Sequence, residues 1–278
     1  MDFTRRDFLA RSAAGLAGAA LLPDLLAAAP LKVKIGTCHA SLETAKKAGI
    51  DGVQVGGGGA AEKLGIADPK TIKSHKDQMA ATGLQVCSIM MSVLNSNPLA
   101  EEPRSQAWLE QCVDAAKELG AKVILVAFFG KGDLSKGKDL KKEAVDAIIP
   151  KLKAVAPRAK DAGVILGLEN TISAQQNLDI IERVGSPAVG VYYDVYNLFH
   201  KGYDPAAEIR LLKDRICEIH FKNGGQYLGE GKIDWKAVGE ALKAINYDKW
   251  IVLETSNPSK DVVADDRKNA EWIRQLLA

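Results

Sequence analysis

The sequence predicts a single α/β domain of the (β/α)8 TIM-barrel class, and three observations carry that expectation. Short β-branched or apolar runs alternate eight times with longer helical patterns, without a break in composition, from residue 32 to the end. Helical stretches close on glycine before the next strand, at Gly49, Gly83, Gly120 and Gly163, as left-handed C-terminal caps do. Of the 278 residues, a 29-residue leader leaves 249, against roughly 250 in a typical barrel of this class. Eight strand–helix units favour a closed barrel over an open doubly wound sheet. No G-x-G-x-x-G follows the first strand to argue for a dinucleotide fold.

The elements follow in order. The first strand is expected at 33–38 (Val-Lys-Ile-Gly-Thr-Cys), with a helix at Leu42–Ala48 ending on Gly49. The second, Gly-Val-Gln-Val at 52–55, runs into four glycines and then the helix Pro69–Thr82, closed by Gly83. The third, 84–90, is β-rich through Val86 and Ile89 and precedes a helix at 104–119 capped by Gly120. The fourth, 122–128, is almost wholly apolar and leads to a long helix at 140–162 before Gly163. The fifth and sixth, 164–169 and Val189–Asp194, start apolar and end in carboxylates, with Ala174–Val184 between them and Pro205–Leu212 after. The seventh, Ile216–Phe221, and the eighth, 250–254, frame a helix at 235–245, and a last helix at 260–277 closes the set.

Composition excludes several classes. With 47% apolar and 26% charged residues the chain is a folded globular protein, not a disordered tail or a coiled coil. A formal charge of +2 lacks the basic field of a nucleic-acid binder. Cys38, Cys87, Cys112 and Cys217 form no C-x-x-C pair, so buried free thiols are expected rather than a zinc knuckle or redox motif.

The N-terminus has a different character. Residues 4–9 read Thr-Arg5-Arg6-Asp-Phe-Leu, and an alanine-rich apolar stretch and the small run Ala27, Ala28, Ala29 follow. A charged end, a short apolar centre and a small-residue exit read as a targeting peptide rather than a helix of the domain, and the series resembles a twin-arginine export signal. The expected organisation is a signal peptide over 1–29 and the barrel over 30–278, with Pro30 placing the cut near Ala28. An apolar centre of about ten residues is too short for a bilayer, which takes about 20. The expected protein is therefore exported and periplasmic, without membrane insertion. Three basic and three acidic residues leave with the leader, so the mature charge remains +2. The twin-arginine route carries folded chains, often with a cofactor already inserted, which makes a metal site worth seeking.

Barrels of this class carry their active sites at the C-terminal strand ends. Four successive strands end in candidate ligands: Glu169, Asp194, His220 and Glu254. Two-residue stepping along each strand allows all four to point inward. Buried carboxylates cannot share a low-dielectric site unpaired, because repulsion raises their pKa values or unfolds the site, and a divalent cation resolves this. Any one acid alone reads as a helix cap or the partner of a surface lysine; at matched strand ends they read as a metal site. Three carboxylates and one imidazole suit Mn²⁺ first, with Mg²⁺, Co²⁺ and Zn²⁺ also admitted. His39 at the end of strand one, Lys222 two residues past His220 and Asn197 three past Asp194 are candidate substrate-binding residues, each readable also as a loop or solvated side chain. Glu218 is expected to point inward below His220 as a partner behind it. Gly56, Gly57, Gly58 and Gly59 either cradle an anion or only give the loop a tight path, and no G-K-[ST] follows to make a nucleotide loop.

The series Leu-Glu169-Asn, Tyr-Asp194-Val-Tyr-Asn197, Ile-His220-Phe-Lys222-Asn, Leu-Gly-Glu-Gly231-Lys-Ile-Asp-Trp235 and Leu-Glu254-Thr resembles the sugar phosphate isomerase/epimerase group of the xylose isomerase-like TIM barrels. The likeness runs from about Lys32 to Ala278 and is strongest from strand five onward. Ligand spacings of 25, 26 and 34 residues are similar to those of the group's ketose 3-epimerases. The resemblance implies that Glu169 and Glu254 are the acid/base pair as well as ligands, while Asp194 and His220 hold the metal. Two positions depart from it: Asn197 stands where ketose epimerases usually place histidine, and Gln54 where many relatives have glutamate.

The expected activity is that of a metal-dependent epimerase or isomerase of an unphosphorylated sugar or keto-sugar, by proton transfer through a metal-stabilised enediolate. An exported enzyme meets few sugar phosphates. In a lyase or hydratase acting on 3-keto-sugars or their glycosides, the same enolate expels a β-leaving group. A non-catalytic sugar-binding protein is a reading of another class, opposed by the intact ligand set. Apurinic-site endonucleases of the same barrel assemble three zinc ions from many histidines, a poor match to a chain with 4 histidines. The expected partner is a small carbohydrate, with a homo-oligomer left open. Replacing Arg5 and Arg6 by lysine is expected to retain the protein in the cytoplasm; unchanged fractionation would count against twin-arginine export.

Overall fold

The computed structural model describes residues 30–278; the signal segment expected over 1–29, with Arg5, Arg6 and Ala28, lies outside the described residues. Eight parallel strands close into one barrel: β1 (Lys34–Thr37), β2 (Gly52–Gly56), β3 (Gln85–Met91), β4 (Val123–Ala127), β5 (Ile165–Glu169), β6 (Val189–Asp194), β7 (Ile216–Phe221) and β8 (Trp250–Leu253). Each strand pairs with its sequence neighbours, and β8 returns to β1. Around them lie α1 (Leu42–Ala48), α2 (Pro69–Thr82), α3 (Ser105–Leu119), α4 (Lys142–Ala162), α5 (Ala174–Val184), α6 (Val195–His200), α7 (Pro205–Leu212), α8 (Trp235–Ala244) and α9 (Val262–Leu277). This is the expected (β/α)8 barrel. Among the described residues no helix is long and apolar enough to cross a membrane.

Local chemistry starts and stops the helices. Ser41, Asp68, Ser173, Asp204, Asp234 and Asp261 each accept a first-turn backbone N–H, and Ser173 forms a reciprocal capping box with Gln176. At the other ends Gly49, Gly83, Gly120 and Gly163 take φ between 66° and 76°, a left-handed conformation in which a Cβ would be strained. Expected and observed boundaries differ by one or two residues. Features that were not expected include the short helix α6 and a small hairpin pairing Ser135–Lys136 with Asp139–Leu140. Helix α6 is six residues long, too short for a clear periodic pattern, and depends on Asp194, whose carboxylate accepts the Asn197 N–H.

The strands alternate their faces. Val123, Leu125 and Ala127 of β4 pack inside the barrel with Tyr192 and Cys217, whereas Ile124 and Val126 join the layer beneath the helices. Gly167 of β5 faces this interior, where an added Cβ would lie 2.6 Å from Cys217 Sγ and 3.2 Å from both Tyr192 Cβ and Val123 Cγ1. Gly167→Ala is therefore expected to cost about 1–3 kcal/mol by overpacking, seen as a lower midpoint in urea denaturation. A variant as stable as wild type would show that this layer has slack.

Candidate metal centre

The strand ends build the site. Glu169 ends β5, Asp194 ends β6, His220 is the penultimate residue of β7, and Glu254 directly follows β8. Parallel pairing sets Asp194 beside His220 and His220 beside Val252, so these positions share one face, and a two-residue step from Val252 brings Glu254 to it. One ligand atom from each of Glu169, Asp194, His220 and Glu254 lies within 4.8 Å of the others. Asp194 and His220 are fully buried and Glu169 nearly so, while Glu254 keeps a third of its side chain open towards the mouth.

Electrostatics in this largely buried cluster are unbalanced towards negative charge. His220 Nδ1 lies 2.9 Å from Glu169 Oε1, 3.3 Å from Glu254 Oε2 and 3.9 Å from Asp194 Oδ2. Burial opposes the charged ring, but Glu169 and Glu254 outweigh it and push the imidazole pKa up to about 10. Burial likewise opposes ionisation of Glu254, yet His220 and Lys222, whose Nζ donates to Glu254 Oε2 at 3.1 Å, bring it down to about 2. Asp194 moves the other way: burial and the neighbouring Glu169 raise it well above the usual carboxylate range. Its Oδ1 accepts the Asn197 N–H at 2.7 Å, but Oδ2 is buried with no hydrogen-bond partner among the described residues. An orphaned carboxylate oxygen beside an imidazole nitrogen that faces three carboxylates is a donor set that fits a divalent cation.

Behind His220 runs a buried polar chain. His220 Nε2 meets Gln54 Oε1 at 3.2 Å; Gln54 Nε2 donates to Ser88 Oγ at 2.9 Å and to Tyr192 Oη at 3.0 Å; Ser88 Oγ donates to Glu218 Oε1 at 3.1 Å. Burial pushes Glu218 up to about 8. The expected partnership of Glu218 with His220 thus exists, but at second hand, through Ser88 and Gln54. Tyr192 also sets its ring edge-on to the imidazole, 4.5 Å between centroids. Ser88 and Tyr192 escaped the sequence reading. Two-residue stepping from Asp194 pointed to Tyr192, but nothing pointed to Ser88 before the β2–β3 register was known.

The remaining candidates fall around this cluster. Lys222 joins it directly through Glu254. Asn197, in the first turn of α6, reaches it only through its backbone bond to Asp194. His39 is tied instead to α9, its Nε2 lying 2.9 Å from Asp266 Oδ1, with Thr37 Oγ1 at 3.4 Å. Gly58, at φ 104°, passes so close to the turn after it that a Cβ would meet Gly65 N at 2.6 Å, which makes the path tight at this one of the four glycines, whereas a Cβ at Gly56 or Gly59 would meet nothing within 4 Å. All four cysteines are free, and only Cys38 is partly exposed.

Comparison with known proteins agrees with this picture. The chain matches the xylose isomerase-like TIM barrel family over residues 42–276. It is 25% identical over 187 residues to 2-epi-5-epi-valiolone 7-phosphate 2-epimerase of Actinoplanes sp., covering 66% of this chain and 67% of that one. It is 26% identical over 230 residues to inosose dehydratase of Lacticaseibacillus casei, covering 69% and 76%. The apo crystal structure of 3-keto-D-glucoside 4-epimerase from E. coli superposes with a TM-score of 0.73 at 19% identity, over 88% of this chain and all of that one, a likeness of fold. With a match spanning nearly the whole described barrel and four ligand-type side chains converging at its strand ends, the chain belongs to the xylose isomerase-like TIM barrel family.

Proposed function

We propose that this chain is a metal-dependent epimerase or isomerase of an unphosphorylated sugar or keto-sugar, exported by the twin-arginine route. The observation that carries the reading is the convergence of Glu169, Asp194, His220 and Glu254 within 4.8 Å at the barrel mouth. The relatives support an enzyme of this kind: one is named a 2-epimerase of a 7-phosphate and another an inosose dehydratase, and epimerisation or dehydration beside a carbonyl can both begin with removal of a carbon-bound proton. In this reading the four residues hold one divalent ion, Mn²⁺ first among the candidates. When bound, the ion supplies Lewis acidity that stabilises negative charge on the substrate's oxygens.

The chain's own residues do the rest. One of Glu169 and Glu254 takes the carbon-bound proton on a carboxylate oxygen, and the other returns a proton to the opposite face of the same carbon. Lys222, which donates to Glu254 Oε2, keeps that carboxylate ionised and presents a second N–H to a substrate oxygen. Asp194 is locked by the Asn197 N–H with its free oxygen in the cluster, and the buried His220 cannot move away. A second reading, a lyase or hydratase on 3-keto-sugars or their glycosides, is favoured by the inosose dehydratase relative. There the same carbanion expels a β-substituent instead of being reprotonated, and product analysis separates the two.

Elemental analysis of the purified protein is expected to find about one divalent ion per chain, and His220→Ala to lose most of it; full occupancy in that variant would sink the ligand assignment. Glu169→Gln and Glu254→Gln each keep an oxygen donor but carry no proton at neutral pH, so turnover is expected to fall about 10²-fold or more while metal binding partly survives. In D₂O one of the two is expected to exchange the substrate's carbon-bound proton without giving the epimer. Normal turnover by both variants would refute the acid/base assignment.

A further inference from the structure

The chain of hydrogen bonds behind His220 has a direction, and the direction follows from which atoms are able to donate. Glu218 is fully buried at its far end and takes the Ser88 hydroxyl hydrogen on Oε1. The Ser88 oxygen is then left to accept, and it accepts from Gln54 Nε2, whose other hydrogen goes to Tyr192 Oη. With its amide nitrogen committed twice, Gln54 turns its carbonyl oxygen to His220 Nε2, and a carbonyl oxygen only accepts. The hydrogen between them therefore sits on Nε2, which leaves Nδ1 as the ring nitrogen that faces Glu169, Asp194 and Glu254 and whose hydrogen a bound cation would displace.

The backbone is built to aim these side chains. The β2–β3 ladder slips between Val53 and Gln54, so that Val53 faces Val86 but Gln54 faces Ser88 rather than Cys87. The β6–β7 ladder slips between Val191 and Tyr192, which sets Tyr192 opposite Glu218. Both irregularities fall immediately before a member of the chain, as bulges that redirect side chains beside active sites do. Gln54 and Ser88 are 4% and 0% exposed, so bulk solvent does not compete for the bonds.

We infer that Gln54, oriented by Ser88 and Tyr192, is the positioning residue that fixes His220 as an Nδ1 ligand and so sets the metal affinity of the centre. The inference rests on the metal reading proposed above. It assigns a task to a side chain outside the four-residue cluster, and it makes the partner of the candidate histidine ligand a neutral amide rather than a carboxylate.

Mn²⁺ affinity, read by competition with a fluorescent chelator, tests it on wild type, Gln54→Met, Gln54→Glu and Ser88→Ala. Gln54→Met keeps the volume but removes the acceptor, and is expected to weaken Mn²⁺ binding about 10- to 100-fold. Gln54→Glu restores an acceptor and is expected to bind at least as tightly as wild type, a rescue that mere filling of the space would not produce. Ser88→Ala frees the amide to turn and is expected to fall between. Circular dichroism and melting of the metal-free variants confirm that each is folded. In ¹⁵N-histidine-labelled protein loaded with Zn²⁺, the His220 ring, assigned by its loss in His220→Gln, is expected to keep its hydrogen on Nε2. A folded Gln54→Met with wild-type affinity, or a Zn²⁺-bound His220 bare at Nε2, overturns the inference and leaves the metal centre standing. Wild type that binds neither ion overturns both together.

Discussion

The parallel register that lines up Asp194, His220 and Val252 across β6, β7 and β8 is the constraint on which the rest of the site depends. A slip of one residue would turn Asp194 and His220 into the apolar layer beneath the helices, where neither has a partner. In the observed register they point inward and converge with Glu169 and Glu254. Three carboxylates thereby meet in a largely buried space, with an imidazole and one lysine against them. The opposite pKa displacements of Asp194 and Glu254 follow from that crowding: the carboxylate nearer the mouth takes the benefit of both cations, and the deeper one bears the burial and the repulsion.

Such a cluster needs a rigid base, because charges in a low dielectric tolerate little misplacement. Immediately below it the barrel is filled by Val123, Leu125, Tyr192 and Cys217, with Gly167 admitting the Cys217 sulfur where any side chain would collide. Tyr192 belongs to both layers. Its ring packs in the apolar interior and against the imidazole, while its hydroxyl enters the polar chain through Gln54. Packing and hydrogen bonding thus hold the same histidine from below. Above it, Asp194 caps α6, so a candidate ligand and the start of the helix that follows it are placed by one hydrogen bond.

Removal of a proton beside a carbonyl is a step that an epimerisation and a dehydration can share. What differs is the group that receives the resulting electron pair and the side chain that meets the leaving oxygen. In this chain the mouth side of the cluster offers Lys222 and the open part of Glu254, whereas Asp194 and His220 are buried.

Much of the architecture was legible in the amino-acid order. Strand-ending Glu169, Asp194, His220 and Glu254 stood out because a barrel collects its strand ends at one rim, and glycines at 49, 83, 120 and 163 marked helix ends because only a residue without Cβ takes that conformation at ease. These are local rules, readable from neighbours in the chain. The hydrogen-bond partners were not readable in this way. Glu218 lies two residues from His220 yet reaches it only through Ser88 and Gln54, which are 130 and 166 residues away from Glu218 and His220 respectively. His39, at the end of the first strand, turns to Asp266, 227 residues later. Which atoms meet across such distances depends on the closure of the barrel and on where its ladders slip. The sequence alone therefore determined the fold and the rim that carries the candidate ligands. Only the tertiary structure decided which nitrogen of His220 faces them and what holds it there, because that is settled by cross-strand register, which no short-range pattern encodes.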